Sequence, residues 1–242
     1  MHQKIFSGKT DIGLTRKNNE DVFVVNPELD FCLTADGMGG AAAGEIASKI
    51  FADTTQEIFT GNTDRSQKEV LYRIQKAFRA ANEKILEYVI QNTSCKGMGC
   101  TAELLAFSDE GFIIGHIGDS RTYRLRKEHL EQLTQDHTMV QQQFEEGLIS
   151  SDQIKNHPLR NVIFRAVGIK EDLALDLIIG KIFPEDMFLL CSDGLTDMIP
   201  DDQIREILCS DSDIPSKAEE LIETAKVAGG ADNITVVLAA IT

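Results

Sequence analysis

The chain has 242 residues and carries 39 Asp and Glu against 24 Lys and Arg, a formal net charge of −15 at pH 7. Nucleic-acid binding needs a basic face, so this balance argues against a phosphate-backbone partner. No apolar run approaches membrane-spanning length and the opening MHQKIFSGKTDIG holds no apolar signal core, so a cytoplasmic protein with no membrane partner is expected.

In chain order, RKNNEDVFVV (16–25) places Glu20 and Asp21 just before the apolar run Val22 to Val25, a strand that begins with carboxylates. Asn26-Pro27 and Asp30 read as a turn. The next apolar run, Phe31 to Ala35, ends at Asp36 and runs into Gly37, Gly39 and Gly40, whose freedom lets the backbone turn tightly. An antiparallel hairpin of these two runs would set Asp21 beside Asp36, where like charges repel unless a cation sits between them. Gly44 to Phe59 has helical spacing, and a longer amphipathic helix follows, with Val70, Leu71, Ile74, Ala77, Phe78, Ala81, Ile85 and Val89 as a core stripe. Thr101 to Phe107, Gly111 to Ile117 and Arg121 to Leu125 read as an antiparallel meander, with Asp119 in a Gly-Asp-Ser turn between two of the strands.

Residues 134–167 are polar, with short helical pieces around Met139 to Glu146 and Ser151 to Asn156 and the histidines His137 and His157. A long insertion of this kind is read as a flap. Val162 to Val167 and Leu173 to Ile182 return to extended patterns, and Met187 to Ser192 is a strand that stops at Asp193-Gly194. Helices over Asp201 to Leu208 and Ser216 to Ala228 follow; Gly229-Gly230 ends the second, and Asp232 stands before the closing strand, Ile234 to Ile241. With no repeat and no linker, one domain over residues 1–242 is expected. The five cysteines show no CxxC spacing and are read as reduced thiols, Cys32 and Cys191 lying inside apolar runs.

Asp36, Asp119, Asp193 and Asp232 all fall at the ends of apolar runs, which points to a shared site. Its ligands are oxygens only, since no His/Cys cluster has zinc spacing, and such a set favours Mg²⁺ or Mn²⁺. Two such ions about 3.5–4 Å apart can stabilise the attacking and leaving oxygens of a phosphoryl displacement. Arg16 adds a planar fork suited to phosphate, so the inventory suits phosphomonoester hydrolysis by a metal-bound water without a covalent intermediate.

RKNNED (16–21), TADGMGG (34–40), GHIGDSR (115–121), SDGLTD (192–197) and ADNIT (231–235) resemble, in order, the motifs of the metal-dependent, protein phosphatase 2C-like serine/threonine phosphatases. The likeness is to their bacterial branch, and LTQDHTMVQQQFEEGLIS and HPLRNVIFRAVG are similar to its flap. The resemblance implies an α+β fold, a four-layer αββα sandwich of two antiparallel sheets packed face to face and flanked by helices. It implies hydrolysis of phosphoserine and phosphothreonine by a hydroxide bridging two Mn²⁺ or Mg²⁺ ions, in a monomer. Partners would be phosphorylated proteins, either targets of a serine/threonine kinase or the kinase itself. Carried over by motif, Asp36 would bridge the ions and Gly37 would add its carbonyl. Asp193 and Asp232 would complete one site, Glu20 and Asp21 would act near the other, and Asp119 with Asp193 would hold a third, weaker ion. Arg16 would bind the phosphate; Asp197 also fits its motif. Two positions depart from the family, Ala41 and Met38, where relatives carry a histidine; His116 and His137 are the stand-ins to weigh. A small-molecule phosphomonoesterase of the same chemistry, or a weakly active phosphoprotein-binding pseudophosphatase, are the alternatives.

Overall fold

Alternation along the central strands sorts their side chains into two different cores, and that sorting defines the architecture. The computed structural model describes residues 3–39, 43–61, 63–154 and 157–242. The first sheet is five-stranded, in the order β1 (Lys4–Asp11), β11 (Ile234–Ile241), β10 (Met187–Cys191), β7 (Arg121–Arg126) and β8 (His129–Gln132). The second is six-stranded: β2 (Asp21–Asn26), β3 (Phe31–Met38), β5 (Ala102–Ser108), β6 (Gly111–Ile117) and β9 (Asp176–Gly180), with the short β4 (Gly99–Cys100) paired to β3. Among the described residues every strand pairing is antiparallel.

On β3, Phe31, Leu33 and Ala35 face outward into a core shared with α1 (Gly44–Phe59) and α2 (Gln67–Gln91), while Cys32 faces the other sheet. On β11, Ile234, Val236, Leu238 and Ala240 meet α5 (Asp193–Thr196), α6 (Asp201–Cys209) and α7 (Ile214–Val227), while Val237, Ala239 and Ile241 face inward. Helices outside each sheet and an apolar layer between them make the four-layer α+β sandwich. Phe107, Phe112 and Phe188 fill that middle layer with edge-on ring contacts.

The middle layer is apolar at one end only. Following the same faces toward the other end, Cys32 gives way to Thr34 and Asp36, Leu105 to Glu103, Ile114 to His116, Leu190 to Ser192, and Val237 to Thr235. Cross-strand register keeps these rows level: Thr34 opposes Glu103, which opposes His116. The sandwich therefore ends in a buried polar layer, and the cleft opens beyond it.

Three local readings differ from the expectation. Arg121 to Leu125 does not continue a meander: β5 and β6 form a hairpin, but β7 pairs with β10 in the opposite sheet. The Gly-Asp-Ser turn is a crossing between sheets, made with Gly118 at φ +116°, which favours glycine. The stretch from Val162 to Val167 forms no strand and makes only isolated bridges, Thr138 to Ile163 and Cys100 to Val167. Within the flap, α3 (Met139–Glu145) and α4 (Ser151–Ile154) fall where helical pieces are expected; Asn156 lies outside the described residues. All five cysteines are free. Among the described residues, no helix is long and apolar enough to cross a membrane.

Candidate active site

Each sheet brings its carboxylates to the polar end of the sandwich. In the six-stranded sheet Asp21 and Asp36 are direct cross-strand partners. The Asp36 N–H donates to Thr101 Oγ1 at 3.0 Å and its carbonyl accepts from the Thr101 N–H at 2.9 Å, which fixes the last turnout of β3. In the other sheet Asp193 follows β10 and Asp232 precedes β11, and these strands are neighbours. Asp193 is the first residue of α5 rather than the last of a strand. Ser192 joins the two sheets: its hydroxyl donates to Asp21 Oδ2 at 2.7 Å and accepts from the Thr235 N–H at 3.0 Å.

Asn233 staples the incoming loop. Its amide donates to the carbonyls of Ile12 and Asn18, each at 3.0 Å, and its oxygen accepts from the Glu20 N–H at 2.8 Å. The Glu20 carbonyl in turn accepts from the Gly37 N–H at 3.1 Å and from Ser48 Oγ at 2.6 Å. Three segments converge so closely at Gly37 that a Cβ there would stand 2.1 Å from the Gly44 oxygen and 2.7 Å from that of Glu20. Only glycine fits. Asn233 is a site residue that the sequence reading missed; its one signal was its place between Asp232 and an apolar run.

The result is a cleft of about 310 Å³ lined by Arg16, Glu20, Asp36, Gly37, Asp119, Asp193 and Asp232. Met38, Gly39, Thr101, Asn161, Ile163 and Asn233 complete its wall; Ala41 lies outside the described residues. Asp21 sits beneath the cleft rather than on it, 5% exposed. Asp197 is off the cleft and pairs with the flap residue Arg160 at 3.4 Å.

The electrostatics of this group are those of crowded, buried acids. Burial, then the charges of Asp21, Asp193, Asp119 and Asp232, push the Asp36 carboxyl well above the usual range. Burial, then Asp119, Asp232, Asp197 and Asp21, do the same to Asp193. Asp119 is pushed up to about 7 by burial and by Asp136, and Asp21 to about 6 by burial foremost. Burial also raises Glu20, partly offset by Arg16. The Arg16 guanidinium bonds Asp232 Oδ2 at 2.6 Å, and that contact raises its own pKa.

These residues fit a hard divalent cation. Asp21 Oδ1 and Asp193 Oδ1 are buried and receive no hydrogen bond, and a buried carboxylate oxygen without a partner is costly. A cation beside them removes both that cost and the mutual repulsion. Carboxylates and the Gly37 carbonyl are the hard oxygen donors that Mn²⁺ and Mg²⁺ take. Among the described residues no three His, Cys, Asp or Glu side chains already close into a ligand cage; the acids line an open cleft, and Asp232 is turned to Arg16.

The Protein phosphatase 2C family model matches residues 15–232, almost the whole chain. The chain belongs to that family. It is 37% identical over 234 residues to Protein phosphatase PhpP of Streptococcus pneumoniae serotype 2, covering 95% of this chain and 94% of that protein. It is 35% identical to Serine/threonine phosphatase stp of Listeria innocua over the same length, covering 95% and 93%. The crystal structure of the catalytic domain of serine threonine protein phosphatase PstP in complex with two manganese ions superposes with a TM-score of 0.90 at 34% identity, both chains covered in full.

Within this phosphatase family member, the histidines weighed as stand-ins are not at the cleft. His116 is fully buried; its Nδ1 bonds the Glu103 carboxylate and its Nε2 donates to the Gln135 carbonyl at 2.8 Å. Burial pulls this imidazole down, but Glu103 outweighs it and the pKa rises to about 8; both ring nitrogens face acceptors, the Glu103 carboxylate and the Gln135 carbonyl. His137 stacks on His116, ring centroids 4.5 Å apart, and is pulled down to about 4 by burial and by that neighbour's charge.

Proposed function

We propose that the chain is a metal-dependent serine/threonine phosphoprotein phosphatase, one catalytic domain over residues 1–242 acting in the bacterial cytoplasm. The observation that carries this is the convergence of Glu20, Asp36, Asp119, Asp193 and Asp232 with Arg16 on one cleft, above buried carboxylate oxygens that no donor satisfies. The metal named in a relative's structure, manganese, is the ion this donor set favours together with magnesium. Asp36, the Gly37 carbonyl, Asp193 and Asp232 would hold the core ions, with Glu20 and Asp21 supporting them in part through water. Asp119 and Asp193 would hold a third, weaker ion. When bound, the two core ions supply an activated water and neutralise charge on the transferred phosphoryl group.

The chain's own residues bind and orient the substrate. Arg16 stands half-exposed at the cleft and presents one nitrogen to Asp232, leaving other N–H groups of its fork for non-bridging phosphate oxygens. Asn161 and Ile163 bring the flap to the cleft edge, where a phosphoprotein segment would lie. No histidine lines the cleft among the described residues. On this reading the partners are phosphorylated proteins, targets of a serine/threonine kinase or the kinase itself.

Turnover of a phosphothreonine peptide and of an aryl phosphate, each titrated with Mn²⁺, tests this reading. Peptide hydrolysis that rises with Mn²⁺ supports it. Hydrolysis of the aryl phosphate alone would make the chain a small-molecule phosphomonoesterase, and no turnover of either would make it a binding module.

A further inference from the structure

Asp119 reaches the cleft from a three-residue crossing between the sheets, Gly118 to Ser120, and the two ends of that crossing are held differently. At Ser120 the hydroxyl meets Thr101 Oγ1 at 2.7 Å, and Thr101 also holds the backbone of Asp36. At Gly118 the holder is His137. The His137 N–H donates to the Gly118 carbonyl at 2.7 Å, and the Gly118 N–H donates to His137 Nδ1 at 3.1 Å. One residue thus takes both polar groups of a glycine held at φ +116°, a conformation that side chains disfavour.

His137 is itself fixed on every side. Its ring stacks on His116 and its carbonyl accepts from the Phe164 N–H at 3.0 Å, in the flap. Its Nδ1 accepts from the Gly118 N–H, which places the proton of the neutral ring on Nε2, facing Asp176 Oδ2 at 3.1 Å; Arg165 Nη1 lies equally close to Nε2, at 3.1 Å, and donates to Asp176 Oδ1 at 3.0 Å. Below it, the Glu103 carboxylate takes both His116 Nδ1 and the Thr122 hydroxyl of the opposite sheet. A flap residue clamps the cleft's Asp119 turn, and the clamp rests on the buried polar layer between the sheets.

We infer that His137 is a positioning residue for Asp119: its Nδ1 and backbone clamp on Gly118 set where the Asp119 carboxylate stands and tie that position to the root of the flap. The inference rests on the proposed assignment of Asp119 to the metal site. It adds a residue outside the cleft that governs how well a cation is held at Asp119. Rotation of the turn about Gly118 would swing the carboxylate away; besides His137, the turn is held by the Thr101–Ser120 bond and by Thr101 packed against Gly118, and of these only His137 bonds the Gly118 N–H.

Three variants separate positioning from bulk packing. His137→Asn keeps an acceptor at the Nδ1 position; His137→Gln moves its polar end to the Nε2 position; His137→Phe keeps the stacked ring and has no acceptor. Two readouts are taken: amide hydrogen exchange at residues 118–120 in protein freed of metal with a chelator, and Mn²⁺ binding by calorimetry with the Mn²⁺ dependence of turnover. Loss of a buried hydrogen bond on this turn predicts exchange about tenfold faster in the Phe and Gln variants, and a weak-site Mn²⁺ constant about tenfold higher. The Asn variant should stay within about threefold of wild type in both. If Phe fails to fold, the Asn–Gln comparison carries the test. Equal behaviour of Asn and Gln, whether both like wild type or both impaired, overturns the inference. Asp119→Asn is the control for the site itself: if it leaves Mn²⁺ binding unchanged while exchange follows the expected order, the clamp stands and the metal assignment of Asp119 falls.

Discussion

Replacing Asp119 with asparagine should cost the protein its weak-site cation and yet, once metal is stripped away, make the fold lose less stability than the wild type as pH rises. Asp119 is buried, with its carboxyl held up to about 7 by burial and by Asp136. In the unfolded chain an aspartate titrates near 3.9. The folded protein therefore binds this proton more tightly, and between pH ~4 and ~7 this one carboxyl removes about 1.4 kcal/mol of stability for each unit of rising pH. An asparagine there is neutral throughout and escapes that loss. Between pH 5.0 and 7.5 the variant should gain about 2–3 kcal/mol on the wild type in chelator, roughly 4–10 °C in Tm for a chain of this size. Because the asparagine amide is also buried, the absolute difference at either pH carries its desolvation as well; the change between the two pH values does not. Thermal unfolding of both proteins in chelator at the two pH values measures it. A difference that stays constant with pH, or that moves in favour of the wild type as pH rises, would refute the reasoning.

Three further outcomes follow from the same geometry. Arg16→Ala should raise KM for phosphomonoesters about tenfold or more, since a charge-assisted hydrogen bond contributes ~1.5–3 kcal/mol; unchanged KM with weakened Mn²⁺ activation would make Arg16 a partner of Asp232 only. Gly37→Ala forces a Cβ to within 2.1 Å of a backbone oxygen, so it should destabilise by ~1–3 kcal/mol and abolish the response to Mn²⁺, and a wild-type melting curve and Mn²⁺ titration would contradict that. Gln142 and Glu146, bonded to each other at 2.9 Å, line a second cavity of about 350 Å³ beside His137 in the flap. Alanine at either should change kcat/KM for phosphopeptides while aryl phosphate hydrolysis stays within about twofold, and parallel losses would instead assign the flap to supporting the cleft.

The parts of the fold that were legible are those where an apolar run is long and its boundary is chemical. β3, β10 and β11 are apolar on both faces because each is covered by helices on one side and a sheet on the other, so they read as continuous runs cut off by Asp36, Asp193 and Asp232. The pairing of Asp21 with Asp36 followed from the hairpin. β1 was not legible: it is an edge strand of mostly polar sequence, KIFSGKTD, recognised only through its pairing with β11. The crossing at Gly118 was misread because a two- or three-residue turn between apolar runs is ordinarily a hairpin, and nothing local reveals that β7 leaves for the other sheet. Burial depth was also hidden. The sequence placed Asp21 and Asp36 together but could not tell that Asp21 lies beneath the cleft while Glu20, its neighbour, lines it. Asn233 and His137 act through bonds to residues far along the chain, such as Ile12 and Gly118, and no spacing rule exposes such contacts.

The central claim is that the buried aspartates form a metal-dependent phosphatase site, and the most direct measurement is hydrolysis of a phosphothreonine peptide by chelator-stripped protein as Mn²⁺ is added back, for wild type and Asp193→Asn. Asp193 carries a buried, unsatisfied oxygen at the junction of β10 and the cleft, and the substitution removes its charge with little change in volume. Wild type should be inactive in chelator and recover with Mn²⁺, while Asp193→Asn should melt cooperatively yet stay inactive at saturating Mn²⁺. Full turnover by the variant at saturating Mn²⁺, or turnover by the wild type that ignores the metal, would contradict the account.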